Sequence, residues 1–327
     1  MVQIVPDDEP SPIWSVPFPA VTICGMEIEG EKSEPLKSFC EKACWGEQCA
    51  CCKALFTKTR TELGSCYTFN NLAAKDLFNT KGMTKDAQLS NASISSENWD
   101  VQAGYKSFDS SSKYYPRRVM DLSHDYELMV RFRIVENSSV HSHGNQSSIK
   151  VDLHNPADYP FKTENAILAE PGQSFKIAVH PKVRTGRRYL KFSCPQSINC
   201  CYGDQCQLQF FRIYSQQNCE LECRTKYMME TRNCVLSYMP RNAGVSLCNE
   251  STSISQDQLQ KEITLAARIN NIPPSKYFVK TCNCLPSCNE IRYKSVVTKS
   301  RSNGTNNSES RKSISNTTTD WCGKTGL

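Results

Sequence analysis

Nineteen cysteines in 327 residues constrain this chain more than any other feature. They fall into two groups, Cys24 to Cys66 and Cys194 to Cys288, with Cys322 apart near the end. So many thiols would be a liability in a reducing cytosol, so the count points to an oxidising compartment and a disulfide-held fold. An odd total leaves at least one thiol free or paired between chains. With 39% hydrophobic residues the chain can also bury one large core or two smaller ones, so the bridges supplement a core.

Asn-x-Ser/Thr occurs at Asn91, Asn137, Asn145, Asn249, Asn303, Asn306 and Asn316, never with proline in the middle, and each is a candidate N-glycosylation acceptor. This agrees with export. The N-terminal MVQIVPDDEPSPIW nevertheless has neither the basic n-region nor the apolar h-region of a signal peptide. The charge-free stretch from Pro10 to Met26 carries four prolines and cannot form a spanning helix. The expectation is a fragment of a membrane protein. A net charge of +6 is modest for this length, and the basic clusters KVRTGRR (182 to 188) and Arg117-Arg118 read as solvated surface, with no nucleic-acid partner.

Along the chain, residues 1 to 17 are extended and proline-rich, and FPAVTIC (18 to 24) is a short β-type run. Residues 36 to 45 suit a short helix, and 79 to 118 read as loop. In YELMVRFRIV (126 to 135) Tyr126, Leu128, Val130, Phe132 and Ile134 alternate strictly, the mark of a strand with one buried face. SIKVDL (148 to 153) and SFKIAV (174 to 179) repeat the pattern, so 120 to 215 is expected to form an antiparallel sheet. CELECRTKYMME (219 to 230) suits a helix. A second is expected over 255 to 270, with Ser255 and Gln258 in capping-box spacing and Leu259, Ile263 and Ala266 on one stripe. The tail from 294 to 327 is nearly devoid of core-forming residues and is expected to be disordered.

KTCNCLPSCNEIRY (280 to 293) could in principle hold a metal, but zinc wants paired cysteine knuckles or added histidines, and all five histidines precede Cys194. His141 and His143 are the one pair resembling ligands, and they sit in a polar stretch between sequons. No Cys-x-x-Cys opens a helix in a βαβ unit, as redox chemistry would require. Structural bridges remain. Cys219 and Cys223 lie at i and i+4 on the expected helix, about 6 Å apart along its axis at ~1.5 Å per residue. Cys282 and Cys284, read as extended, also face one way at about 6.6 Å, using ~3.3 Å per residue. Two rungs are therefore predicted, Cys219 to Cys284 and Cys223 to Cys282. By the same nesting Cys234 pairs with Cys248, and Cys288 with a cysteine before Cys219, taken as Cys201.

FPAVTIC (18 to 24), GSCYTFNN (64 to 71), EPGQSFKIAV (170 to 179), FFRIYSQQNCELEC (210 to 223), NCVLSYMPR (233 to 241) and CNCLPSC (282 to 288), in this order, resemble the extracellular domain of degenerin/epithelial sodium channel subunits, most of all the insect pickpocket branch. The resemblance implies an α+β fold over 18 to 293. It would comprise a β-rich palm and β-ball (18 to 24 and 120 to 215), a shortened finger (25 to 118) and a disulfide-stapled helical thumb (219 to 288). It further implies a trimeric, sodium-selective, amiloride-sensitive type of plasma-membrane channel, with homo- or hetero-trimeric partner subunits and an extracellular stimulus or ligand. No cofactor is implied.

This chain departs from the family pattern at Arg232-Asn233-Cys234, where the family has Cys-x-Cys, and it lacks a thumb cysteine between Cys248 and Cys282. The two missing positions pair with each other in the family, so one whole bridge is absent. Counterparts of the membrane helices, gating motif and selectivity filter are not found in these residues, so a partial or truncated channel subunit is expected. The alternative is a secreted or tethered non-conducting binding module. An enzyme is not expected, since no nucleophile elbow, paired catalytic carboxylates or phosphate loop is present.

Overall fold

A computed structural model describes residues 11–25, 40–79, 96, 98–106, 115–120, 127–132, 149–161, 166–248 and 256–301. Its centre is the FPAVTIC segment. Ala20–Gly25 is buried on both faces along nearly its whole length, as an unbroken apolar run requires, and it is the middle of a five-stranded antiparallel sheet. Gly64–Phe69 flanks it on one side and Ile149–His154 on the other, with Val21 opposite both Phe69 and Leu153. Thr57–Thr61 and Ile167–Ala169 form the edges. Cys24 and Cys66, on adjacent strands, are bridged across the sheet with their Cα atoms 4.5 Å apart.

A three-stranded antiparallel sheet, Gln48–Ala50, Cys40–Trp45 and Leu128–Phe132, lies against the first. Between them Val21, Ile23, Ala43, Phe56, Phe69 and Ile149 are buried. The expected helix over 36 to 45 is thus corrected to a strand over Cys40–Trp45. Its amphipathic pattern suits either element over so few residues, and pairing with Leu128–Phe132 plus bridges Cys40–Cys52 and Cys44–Cys49 select the extended form. The alternating run at 126 to 135 is a strand over Leu128–Phe132, with 126 and 133 to 135 outside the described residues.

The expected single sheet over 120 to 215 is instead divided. Its three segments go to three different sheets, because Gln173–Arg184 pairs along twelve residues with Glu290–Arg301 in a separate antiparallel ribbon. The predicted disordered tail therefore begins too early, since residues 294 to 301 belong to that ribbon. Trp99–Asp100 and Gly104–Tyr105 form a hairpin within the stretch read as loop.

Helix Gln216–Arg232 starts at Ser215, whose Oγ accepts the Asn218 amide, and stops at Asn233 in the left-handed conformation with φ 53°. It buries Leu221, Thr225 and Met228 at i, i+4 and i+7. The second helix, Gln256–Ile269, buries Leu259, Ile263 and Ala267. Ala267 rather than Ala266 completes the stripe. Both helices pack on one core with Phe78, Tyr159, Phe211 and Phe278. The molecule is α+β with antiparallel sheets.

Candidate functional site

The face that couples helices, sheet and ribbon begins at residues 155–161, the segment leaving Ile149–His154, the neighbour of the central strand. The side-chain amide of Asn155 donates to the Ile291 carbonyl at 3.1 Å, tying the segment to the ribbon. Asn218, fully buried in the first turn of the long helix, accepts the Tyr159 amide at 2.9 Å. Its side-chain nitrogen donates to the carbonyls of Ala157 and Ile213 at 3.0 and 3.1 Å. Gln217 donates to the Tyr159 carbonyl, and the Tyr159 hydroxyl reaches the Arg60 carbonyl at 2.7 Å on the sheet edge. One turn later the buried Glu222 carboxylate accepts the backbone amides of Gln209 and Phe210 and the Lys226 amine. Each of these polar side chains has partners that fix its direction.

Four bridges brace the helical side. Cys219 is bonded to Cys284, Cys223 to Cys282 and Cys234 to Cys248. Cys288 is bonded to Cys200, which corrects the expected Cys201–Cys288 pair. Cys201 pairs its backbone with the Pro286 carbonyl and the Cys288 amide and turns its sulfur to Cys206. Neighbouring side chains in extended backbone point to opposite sides, so of the Cys200-Cys201 pair only one can meet Cys288. The premise of an extended Cys282–Cys284 segment is also corrected. Cys282 ends the short helix Tyr277–Thr281, and Asn283 follows with φ 53°. That left-handed residue turns the chain so that Cys282 and Cys284 still address successive turns of the long helix. Eight bridges take sixteen of the described cysteines; Cys51 and Cys194 are free thiols, and Cys322 lies outside the described residues.

The N-terminal entry is clamped separately. Asn70, in the left-handed conformation with φ 62°, donates to the carbonyls of Phe18 and Arg117 and accepts the Arg117 amide. The Tyr293 hydroxyl on the ribbon donates to the Pro17 carbonyl at 2.8 Å, joining the entering and the closing strand. Of the aromatics near the helical module, Tyr238 is buried in the core and Tyr227 stacks edge-on with Phe278 at 5.7 Å. Asn70, Asn155, Asn218 and Glu222 do not stand out in the sequence. The signal that could find them is a polar residue inside an otherwise apolar run, as in TFNN and NCELEC. All seven sequon asparagines lie outside the described residues.

Within the central sheet, His154 is buried between strands. Its Nδ1 lies 3.0 Å from the Asn155 carbonyl, which can only accept, so Nδ1 carries the proton. Nε2 then accepts from the Thr22 hydroxyl at 2.8 Å, and Thr22 accepts from Thr68 at 2.9 Å. Burial pushes the imidazole from its ordinary 6.5 down to about 4, against the smaller opposing pull of the Asn155 carbonyl. A group whose folded value is depressed in this way favours folding above 6.5 and loses that contribution as pH falls towards 4. Acidification from pH 7 to pH 4 is expected to cost up to about 3 kcal/mol through this residue. The comparison of wild type with His154→Gln by urea unfolding at both pH values isolates it. Burial holds Asp152 and Asp158 up at about 6 with the opposite dependence, and they are common to both proteins. An unchanged pH slope in the variant would remove His154 as the cause.

Two antiparallel sheets and a ribbon, a polar joint to a helical module and eight disulfides define a bridge-stapled α+β domain suited to an oxidising exterior. The chain belongs to the amiloride-sensitive sodium channel family, whose pattern matches residues 26–322. It is similar to Pickpocket protein 28 of Drosophila melanogaster, 26% identical over 256 residues, a match covering 75% of this chain and 39% of that protein. Acid-sensing ion channel 2 of Homo sapiens is 26% identical over 148 residues, covering 45% and 25% respectively. Pickpocket protein 11 of Drosophila melanogaster is 23% identical over 167 residues, covering 51% and 30%. The matched region thus spans well under half the length of these relatives. Among the described residues no helix is long and apolar enough to cross a membrane.

Proposed function

We propose that this chain is the extracellular domain of a sodium channel subunit of the plasma membrane, acting in a trimer with like or related subunits. The family match over residues 26–322 carries the reading. The central sheet, with its strands Thr57–Thr61 and Gly64–Phe69, serves as palm and β-ball, the rest of the stretch from 25 to 118 as a shortened finger, and 219 to 288 as thumb. A stimulus that displaces finger or thumb acts on the sheet through the joint of Asn218, Tyr159 and Asn155, because these hydrogen bonds tie the first turn of the long helix to the segment that Asn155 ties to the ribbon. The Tyr293–Pro17 bond draws the entering and closing strands together, so both ends respond as one body. The bridges Cys219–Cys284, Cys223–Cys282 and Cys234–Cys248 keep the thumb rigid, and Asn91, Asn137, Asn145, Asn249, Asn303, Asn306 and Asn316 are proposed glycan acceptors.

The transcript tests this. Two apolar segments of about 20 residues, one encoded on either side of these residues, are expected, with amiloride-blocked sodium current when that message is expressed in oocytes. A mature message encoding the 327 residues alone would favour the secreted or tethered binding module instead.

A further inference from the structure

The Gln173–Arg184 and Glu290–Arg301 ribbon has two unlike faces. Phe175, Ile177, Val179, Ile291 and Tyr293 are half-buried on one. Strict alternation puts Lys176, His180, Lys182, Arg292 and Lys294 on the other, all exposed. The twenty-four residues hold seven Lys and Arg against one Glu, a net +6 that equals the net charge of the whole chain. Charge is therefore concentrated here and balanced elsewhere.

Its arrangement is unfavourable for the ribbon alone. Lys182 stands directly opposite Arg292, and Lys294 lies diagonally beside Lys182. Like charges across a strand pair are destabilising. The neighbouring Lys294 amine holds the Lys182 amine below its ordinary range. The single carboxylate, Glu290, is taken by Arg292 at 2.7 Å and Arg184 at 3.8 Å. No carboxylate on the ribbon is left for Lys176, Lys182 or Lys294.

We propose that this basic face binds a sulfated polysaccharide chain lying along the strands. The cations of this face run from Lys176 to Lys182 on one strand and over Arg292 and Lys294 on the other, a narrow track about 20 Å long at ~3.4 Å per residue, which suits a short stretch of a linear polyanion. Ser174, Thr298 and Ser300 lie on the same face and offer hydroxyls to sulfate and sugar oxygens. A lipid surface fits less well, since interfacial binding sets aromatic and large aliphatic residues beside the cations, and this face carries only Ala178 and Val296 as apolar residues. The same poverty of apolar anchors argues against a protein partner. The proposal is independent of whether the chain forms part of a conducting channel.

The test is binding of a heparin-derived octasaccharide to the purified, disulfide-bonded chain, by calorimetry across a series of NaCl concentrations. Lys176→Gln/Lys182→Gln/Lys294→Gln is expected to lower affinity at least tenfold and to flatten the dependence on salt. Lys53→Gln/Lys58→Gln/Lys75→Gln removes the same charge from other exposed positions and should change affinity less than twofold. Equal weakening in both triple variants, or undiminished binding of the desulfated octasaccharide, overturns the proposal. So does equal or tighter ribbon-dependent binding to phosphatidylserine vesicles or duplex DNA. Should the ribbon triple variant misfold, the single Lys294→Gln reads the same effect as a two- to threefold loss, and no loss there overturns it.

Discussion

Removing both rungs that join the long helix to the Tyr277–Thr281 turn is expected to cost about 6 kcal/mol, whereas removing either alone costs about 2 kcal/mol. The variants are Cys219→Ser/Cys284→Ser, Cys223→Ser/Cys282→Ser, and the four together. The asymmetry follows from nesting. The two bridges span sequence separations of 65 and 59 residues, so each by itself closes a long loop and restricts the unfolded chain strongly. Once one is formed, the other closes only the small ring between Cys219–Cys223 and Cys282–Cys284, and its added restriction is correspondingly less. Cys200–Cys288 outside them retains part of the constraint in every variant. A loss of about 6 kcal/mol is comparable to the whole stability of an ordinary domain, so the fourfold variant should lose its helical module at ambient temperature. Guanidinium unfolding followed by circular dichroism measures this. Strictly additive costs would show that the rungs act through native packing rather than through the unfolded chain. Non-reducing peptide mapping of wild type provides the companion check, with Cys219–Cys284 and Cys200–Cys288 as the expected peptides.

Asn218→Leu is expected to be the most damaging single substitution at the joint, at about 3 to 5 kcal/mol. Leucine is close in size, so packing alone predicts little loss. The Tyr159 amide and the Ala157 carbonyl would however lose their partner in a buried place, and the part-buried Ile213 carbonyl would lose its donor as well. Orphaned buried groups carry their full desolvation penalty, and here two are orphaned together. Asn218→Asp tests the direction of the network. It keeps the acceptor for the Tyr159 amide but sets a carboxylate against two carbonyls, so it should fail as badly as leucine at pH 7. A thermal melt of either variant within about two degrees of wild type, well under the shift that a loss of 3 kcal/mol produces, would show that the joint is not held by Asn218.

Local pattern is enough for several elements. The buried run at 20 to 25, the helix around 219 to 230 and the rungs Cys219–Cys284 and Cys223–Cys282 all follow from periodicities that neighbouring residues carry themselves. The rungs form, however, on a different geometry from the expected one. The segment at Cys282–Cys284 is a helix end with a left-handed Asn283, not a strand, and the two cysteines nonetheless meet Cys223 and Cys219 on successive turns of the long helix. Cys40–Trp45 is ambiguous in the sequence because six residues cannot distinguish periods of 2 and 3.6 when their partners lie far along the chain, at Leu128–Phe132. Glu290–Arg301 is hidden for a related reason. Its lysines and serines look like a solvated tail until Gln173–Arg184 is placed beside it.

Spacing by itself determined the long helix with its cysteine pairs, the cysteine count pointed to an oxidising setting, and the α+β class and the family came from the resemblance of six ordered motifs to a known family. Each of these rests on residues close in the chain or on counts that need no coordinates. Tertiary structure alone decided that Cys288 meets Cys200, that Asn218 and Asn155 tie helix and ribbon to one segment, and that basic residues from two distant stretches share a face. Those outcomes depend on which side of the backbone a residue presents once remote strands have paired, and a one-residue change of side leaves no trace in local composition.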